Sequence, residues 1–366
     1  MASEIDDIVK AVRDAADSSA VFPTIEAWAQ AGRAKDPPPL SRAVEAHEAV
    51  AHQIEETLAL TPGDAFVDAA LGIAKGRSPA RQRAIASRLG YGQSKATFLS
   101  AVDRFGEEHT EILACWMHEI VLRGTKLDAD EPATRLHGKL AQREHVLGSM
   151  PLELLSVERE APSYMPLYGS EAVQRAVQTL ESGAASTRTI PPPAERKAPT
   201  VTFTSDAATE ARLVEAFRPW IESPSGKREA KIFGLSPAVD VLDVGRWLVR
   251  ALPLDSLAGA KDANIQRVEV DAVWGGLFAA AANGGAQSSG LGGAYGRRAA
   301  WTSLGALVDA APDASVSEVD ELTCEAAFFV YVTQGPWFHD IAWDLGVAAL
   351  RPDGKTVAVV AASDSD

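Results

Sequence analysis

"LGVAALRPDGKTVAVVAAS", running from Leu345 to Ser363, is the stretch that decides the fold class. Pro352, Asp353 and Gly354 are turn formers, and a β-type apolar run stands on each side of them. The reading is a β-hairpin closing the chain. Working back from it, "CEAAFFVYVT" (324–333) reads as another strand, as do "AKIFGL" (230–235) and the alternating "TVTFTS" (200–205). Helical periods lie between these strands. Ser205 or Asp206 caps a helix carrying Leu213, Val214 and Phe217. Ser236 and Pro237 open a second, with Val241, Val244 and Leu248, and a third runs from about Val268 to Ala282. Six of the eight tryptophans lie beyond residue 200, so the larger aromatic core belongs to this α+β part.

Upstream the texture changes. "ESGAASTRTIPPPAERKAPT" (181–200) has small polar residues, three consecutive prolines and adjacent charges, which build no core. The expected organisation is an all-helical domain over 1–182, a Pro/Ser-rich linker over 183–200 and an α+β domain over 201–366. In the first part, Ser3 of "SEID" looks like a helix cap. Leu40, Val44, His47, Ala51, Ile54 and Leu58 step by fours and threes along one helix face. Ser78 is placed as an N-cap with Pro79 at the first helical position, and further helices stop at glycines. Helices of this length with short connections suggest stacked antiparallel pairs, an α-solenoid-like array. No period repeats cleanly in the residues, so an irregular bundle is the alternative.

The chain has 366 residues and a net charge of -15, with the acidity spread over both halves. Nucleic-acid binding needs a clustered basic face, and none is visible, so a nucleic-acid partner is not expected. Two distant cysteines make no disulfide framework. The N-terminus "MASEIDDIVK" is acidic and amphipathic, and the longest apolar runs fall short of the roughly 18 residues of a membrane span. The expectation is a cytoplasmic protein that does not enter a membrane.

Four constellations carry polar chemistry. The first is "NGGAQSSGLGGAYGRRAAW" (283–301). Gly290, Gly292, Gly293 and Gly296 could let backbone amides surround an anion, with Arg297 and Arg298 at the start of the following helix. The spacing fits neither a dinucleotide loop nor a P-loop, and the preceding segment reads as a helix closed by Asn283 and Gly284. The alternative is a connector between two helices, with glycines for tight turns. The second is His47 and His52, five apart and so on different faces of a helix. The third is Glu108, Glu111, Cys115, His118 and Glu119, ligand types stepping along one helix face. Cys115 and His118 are its metal candidates, set against a buried free cysteine with no site. The fourth is "WFHDIAWDLG" (337–346), with His339, Asp340 and Asp344. In a strand the two aspartates lie about 13 Å apart; in a helix from Pro336 they would be neighbours able to share a metal or a proton. Alternation favours strand from Asp344 onward. The terminal "SDSD", with Asp364 and Asp366, reads as an exposed acidic tail.

"GGAYGRRAAW", "WFHDIAWDLGVAALRPDG" and "TVAVVAASDSD" resemble blocks of an actinobacterial protein family known as a domain of unknown function. The resemblance implies a bacterial setting and assigns no activity, cofactor or catalytic residue. With no recognisable catalytic arrangement in the residues beside an array of amphipathic helices, the expected function is a non-enzymatic interaction or regulatory protein that meets another protein through its helical part. The alternative is an enzyme or ligand-binding protein with an anion or metal site in the α+β domain. No cofactor is identified.

Overall fold

The computed structural model describes residues 7–8, 10–12, 14–15, 18–31, 48–158, 199–260, 262–339 and 343–365. Ser3, His47, Asp340 and the linker as far as Ala198 lie outside them. The chain divides into two compact units, Met1–Gly148 and Ser149–Asp366. No helix among the described residues is long and apolar enough to cross a membrane.

The first unit is helical: α1 (Phe22–Gln30), α2 (Glu48–Leu60), α3 (Asp64–Ala74), α4 (Pro79–Gly92), α5 (Lys95–Phe105), α6 (Thr110–Leu122) and α7 (Glu131–Gln142). Ser78 caps α4 by accepting the Arg81 N–H, with Pro79 at the first helical position, where its missing donor costs nothing. Helices two apart are neighbours: α2 packs on α4, α4 on α6, α3 on α5 and α5 on α7. This is the two-layered stacking of an α-solenoid. The helices α4 and α6 begin 31 residues apart, at Pro79 and Thr110. Ion pairs lace the second layer across separations of 36, 32 and 32 residues: Arg104 to Asp68, Arg135 to Asp103 and Lys139 to Glu107.

The second unit holds a six-stranded antiparallel sheet in the order β1-β2-β6-β5-β4-β3. The strands are β1 (Thr200–Phe203), β2 (Lys227–Ser236), β3 (Asp262–Val268), β4 (Ala327–Gln334), β5 (Asp344–Leu350) and β6 (Thr356–Ser363). The helices are α8 (Ala207–Leu213), α9 (Arg218–Ile221), α10 (Arg246–Ala251), α11 (Val270–Asn283), α12 (Gly292–Leu307) and α13 (Val316–Thr323). The hairpin β5–β6 is the middle of this sheet, in the register Leu350↔Val357. Residues 347–350 and 357–362 are all buried, so both faces are covered. On one face Phe233, Leu248, Phe329, Tyr331, Leu350 and Val359 share a core. On the other, α11 and α12 pack on each other and reach β4 and β6.

Three local expectations are corrected. Ser236 and Pro237 open no helix. Leu235 and Val239 donate instead to Lys355 O and Gly354 O, which holds the chain extended against the hairpin turn, and α10 starts only at Arg246. The helix expected at Arg297 starts five residues earlier, at Gly292. Asp364 of the terminal "SDSD", expected to be exposed, is fully buried, and Asp366 lies outside the described residues. Strand β3 and helix α13 have no counterpart in the sequence reading. β3 is a half-exposed outer strand whose polar residues give a weak period-2 signal.

Candidate functional site

The glycine-rich stretch joins α11 to α12. Gly284 closes α11 at φ +84°, a conformation that favours glycine, and its carbonyl accepts the Trp220 indole N–H at 2.9 Å. Leu291 N–H returns to Ala281 O at 2.8 Å. Between these anchors one loop amide, that of Ala286, bonds a carboxylate of the chain itself. Asp364 Oδ2 accepts the Ala286 N–H at 2.8 Å, and Oδ1 accepts the Ser225 hydroxyl at 2.8 Å and the Ser365 N–H at 3.0 Å. Burial pushes the Asp364 carboxyl up, but the hydrogen bonds from Ser225, Ser223, Ala286 and Ser365 outweigh it and hold the group below the usual carboxylate range. Gly285 leaves the room for this: a Cβ there would stand 2.2 Å from Asp364 Oδ2.

Of the four glycines singled out in the sequence, Gly290 and Gly296 stand against Ala282. A Cβ at Gly290 would meet Ala282 O at 2.0 Å, and one at Gly296 would meet the Ala282 Cβ at 2.8 Å. Gly292 has φ +76° at the start of α12, and Gly293 is buried within it. Gly290 and Gly296 allow the close approach of the loop and of α12 to the end of α11.

Arg297 is fully buried and its guanidinium grips a single carboxylate. Nε donates to Glu158 Oε1 at 2.6 Å and Nη2 to Oε2 at 2.7 Å. Nη1 and Nη2 also donate to Pro151 O and Glu153 O. Glu158, itself fully buried, accepts the Trp301 indole at 2.6 Å and the Leu155 N–H at 2.9 Å. This charge pair fastens residues 151–158 to α12. Arg298, the next residue, is half-buried, and its guanidinium has no hydrogen-bond or ion-pair partner among the described residues.

The other candidates are dispersed. The exposed His339 donates its backbone N–H to Asp344 Oδ2 at 2.9 Å, so Asp344 shapes the entry to β5. In the first unit, burial pushes the Cys115 thiol well above its ordinary value, with the Glu111 and Glu119 charges adding to it. A thiol of this kind is a poor nucleophile. Its Sγ lies 3.6 Å from Glu111 Oε1, whose other oxygen meets His145 Nε2 at 2.8 Å. His118, fully buried, bonds Leu147 O at 3.0 Å. His52 meets Arg88 Nη2 at 2.6 Å. Among the described residues no three His, Cys, Asp or Glu side chains are grouped to hold a metal.

One concavity has no counterpart in the sequence reading. At the outer edge of β2, a cavity of about 440 Å³ lies between the strand and α8. Its walls include Phe203, Ala207, Glu210, Ala211, Arg228 and Ala230. β1 pairs with β2 only from Ser236 back to Phe233. Thr204 N–H then donates to Ile232 O at 2.9 Å, Ser205 Oγ accepts the Ile232 N–H, and the chain turns into α8. Hydrogen bonding alternates along an antiparallel strand. Leu235 donates toward β6 and Ile232 toward β1, so the N–H and C=O of Ala230 and Arg228 point to the side where β1 has ended. On the sheet face away from α8, Glu229 accepts the N–H groups of Asp255 and Ser256 at 2.7 and 2.9 Å. Lys231 bridges Glu229 and Asp255 at 2.8 and 2.9 Å. Burial works against its charge, but the hydrogen bonds to Glu229 and Asp255 prevail and raise its pKa, so it stays an ammonium. The sequence signal for this edge is the polar, charge-rich "KREAK" at the start of a strand whose second half is apolar.

In comparison with known proteins, residues 4–366 match the family model described as "Family of unknown function (DUF6183)". No curated protein and no solved structure matches the chain.

Proposed function

We propose that this chain, which belongs to the DUF6183 family, is a non-enzymatic interaction or regulatory protein that meets another protein through its helical unit. The observation that carries the reading is the stacked helix pairs of α2 to α7, an architecture whose repeats present an extended side-chain surface. A second line of support comes from the polar groups best suited to chemistry. Arg297 and Glu158 neutralise each other, Asp364 fills the glycine loop, and Cys115 is a buried protonated thiol. Each ties backbone segments together or sits in the core. The proposed setting is the bacterial cytoplasm; the two free cysteines suit a reducing compartment.

The test is cross-linking of the purified full chain in a lysate of its source organism, with the linked peptides mapped by mass spectrometry. The expected result is one reproducible partner linked to residues 48–142. Links scattered over many proteins, or none above background, would remove the proposal. A thermal-shift screen with nucleotides, phosphate esters and divalent metals addresses the competing ligand-site reading, since a ligand that favours the native state raises the melting temperature.

A further inference from the structure

We infer that the open edge of β2 in the second unit is a receptor for an extended peptide segment of another protein, taken up by strand addition. This inference stands apart from the helical unit and its partner. The segment committed to is one in which a basic side chain alternates with apolar ones.

The backbone argument comes first. Arg228 and Ala230 present two N–H donors and two C=O acceptors to the cavity, in the direction a further strand would need. A peptide lying where β1 would have continued completes that ladder. From Arg228 to Lys231 the edge spans about 10 Å, enough for three or four extended residues. Natural sheets cover or blunt such edges. Here β1 stops short and α8 stands off, leaving, among the described residues, a groove with a helix as its far wall.

The side-chain chemistry follows from the pleat. A peptide residue opposite Ala230 points to the same face as Ala230, toward α8. There it meets Ala207 and Ala211, with Glu210 beyond them. Among the described residues Glu210 forms no ion pair. A lysine or arginine fits this half: its methylene stem lies along the alanines and its charge reaches Glu210. The flanking residues point to the opposite face, where Phe203 is 58% exposed beside the buried Phe233. An apolar side chain fits that half. The protein's charge of -15 favours the approach of a basic segment.

The experiment uses the full chain and a capped seven-residue peptide of alternating lysine and valine, read by residue-resolved amide hydrogen exchange. At saturating peptide, exchange at Arg228 and Ala230 slows by at least about tenfold. Exchange at Glu229 and Lys231, whose N–H groups already face β6, stays the same. The same peptide N-methylated at alternate residues keeps its charge and loses its ladder donors, so it gives no protection. Glu210→Lys, on the helix surface, weakens binding while the far-ultraviolet spectrum is unchanged. Three results would overturn the inference. One is no binding. Another is binding that the N-methylated peptide reproduces, which would mean charge attraction alone. The third is protection of Arg228 and Ala230 that grows with protein concentration without peptide, which would make a second copy of the chain the occupant.

Discussion

Arg297 and Glu158 show what a buried charge pair does at the scale of one residue. Both are fully buried, and Glu158 also holds the Trp301 indole. Removing one partner leaves the other charged and without its counterion in a low-dielectric interior. Glu158→Ala is therefore expected to destabilise the second unit by about 3–5 kcal/mol, measured by urea unfolding followed through tryptophan fluorescence. Asp364 makes a different prediction, one of pH. Its folded-state pKa lies below its ordinary value, so the stability it contributes is present above about pH 4 and is lost as pH falls through the folded value. Asp364→Asn should be less stable than wild type at neutral pH, and the gap should close on acidification below about pH 4. An equal gap at all pH values would count against the carboxylate's role. None of this is legible in the residues. "SDSD" reads as a tail because its partners, Ser225 and Ala286, are far away in sequence.

At the scale of the element, glycines separate into those that a neighbour requires and those that nothing requires. Gly296 lets α12 approach α11 at Ala282, where a Cβ would stand 2.8 Å from another. A larger side chain forces the helices apart, so Gly296→Val is expected to cost about 1–3 kcal/mol or more in chemical denaturation. A Cβ at Gly72 in α3 or at Gly138 in α7 would meet nothing within 4 Å. There alanine removes only backbone freedom from the unfolded chain. Each substitution is expected to stabilise by about 0.5–1 kcal/mol, read as a higher melting temperature. Element identity is largely readable: the cap at Ser78, the turn at Pro352–Gly354 and the termination at Gly284 are all found as local chemistry dictates. Boundaries are less so. The start of α12 at Gly292 runs against helix propensity and is held by the packing of Gly293 and Gly296.

At the scale of the molecule, the sheet puts its last two strands in the middle. β6 separates β2 from β5, and β5 separates β6 from β4. Deleting residues 356–366 would leave β2 and β5 without their central neighbour. The expected result is loss of the second unit's near-ultraviolet signal, while helix content from the first unit is retained in the far ultraviolet. The charge of -15 gives a further expectation for the whole chain: no shift of DNA or RNA in a gel at physiological salt. The six-stranded order, and what covers the two faces of β5 and β6, are not legible locally, because an apolar run shows that both faces are covered and not by what.

By itself the sequence determined the kind of structure each segment adopts: stacked amphipathic helices, then helices mixed with strands, then a hairpin. Period, caps and turn residues act over a few positions, so they can be read there. It also showed that the glycine loop lies between two helices. Only the tertiary structure decided which carboxylate that loop meets, where Arg297 places its charge and where β2 loses its outer neighbour. Those outcomes depend on groups that chain folding brings together across long separations, such as the 139 residues between Glu158 and Arg297. No local pattern encodes which of many carboxylates will meet which cation, because pairing is settled by the geometry of packing.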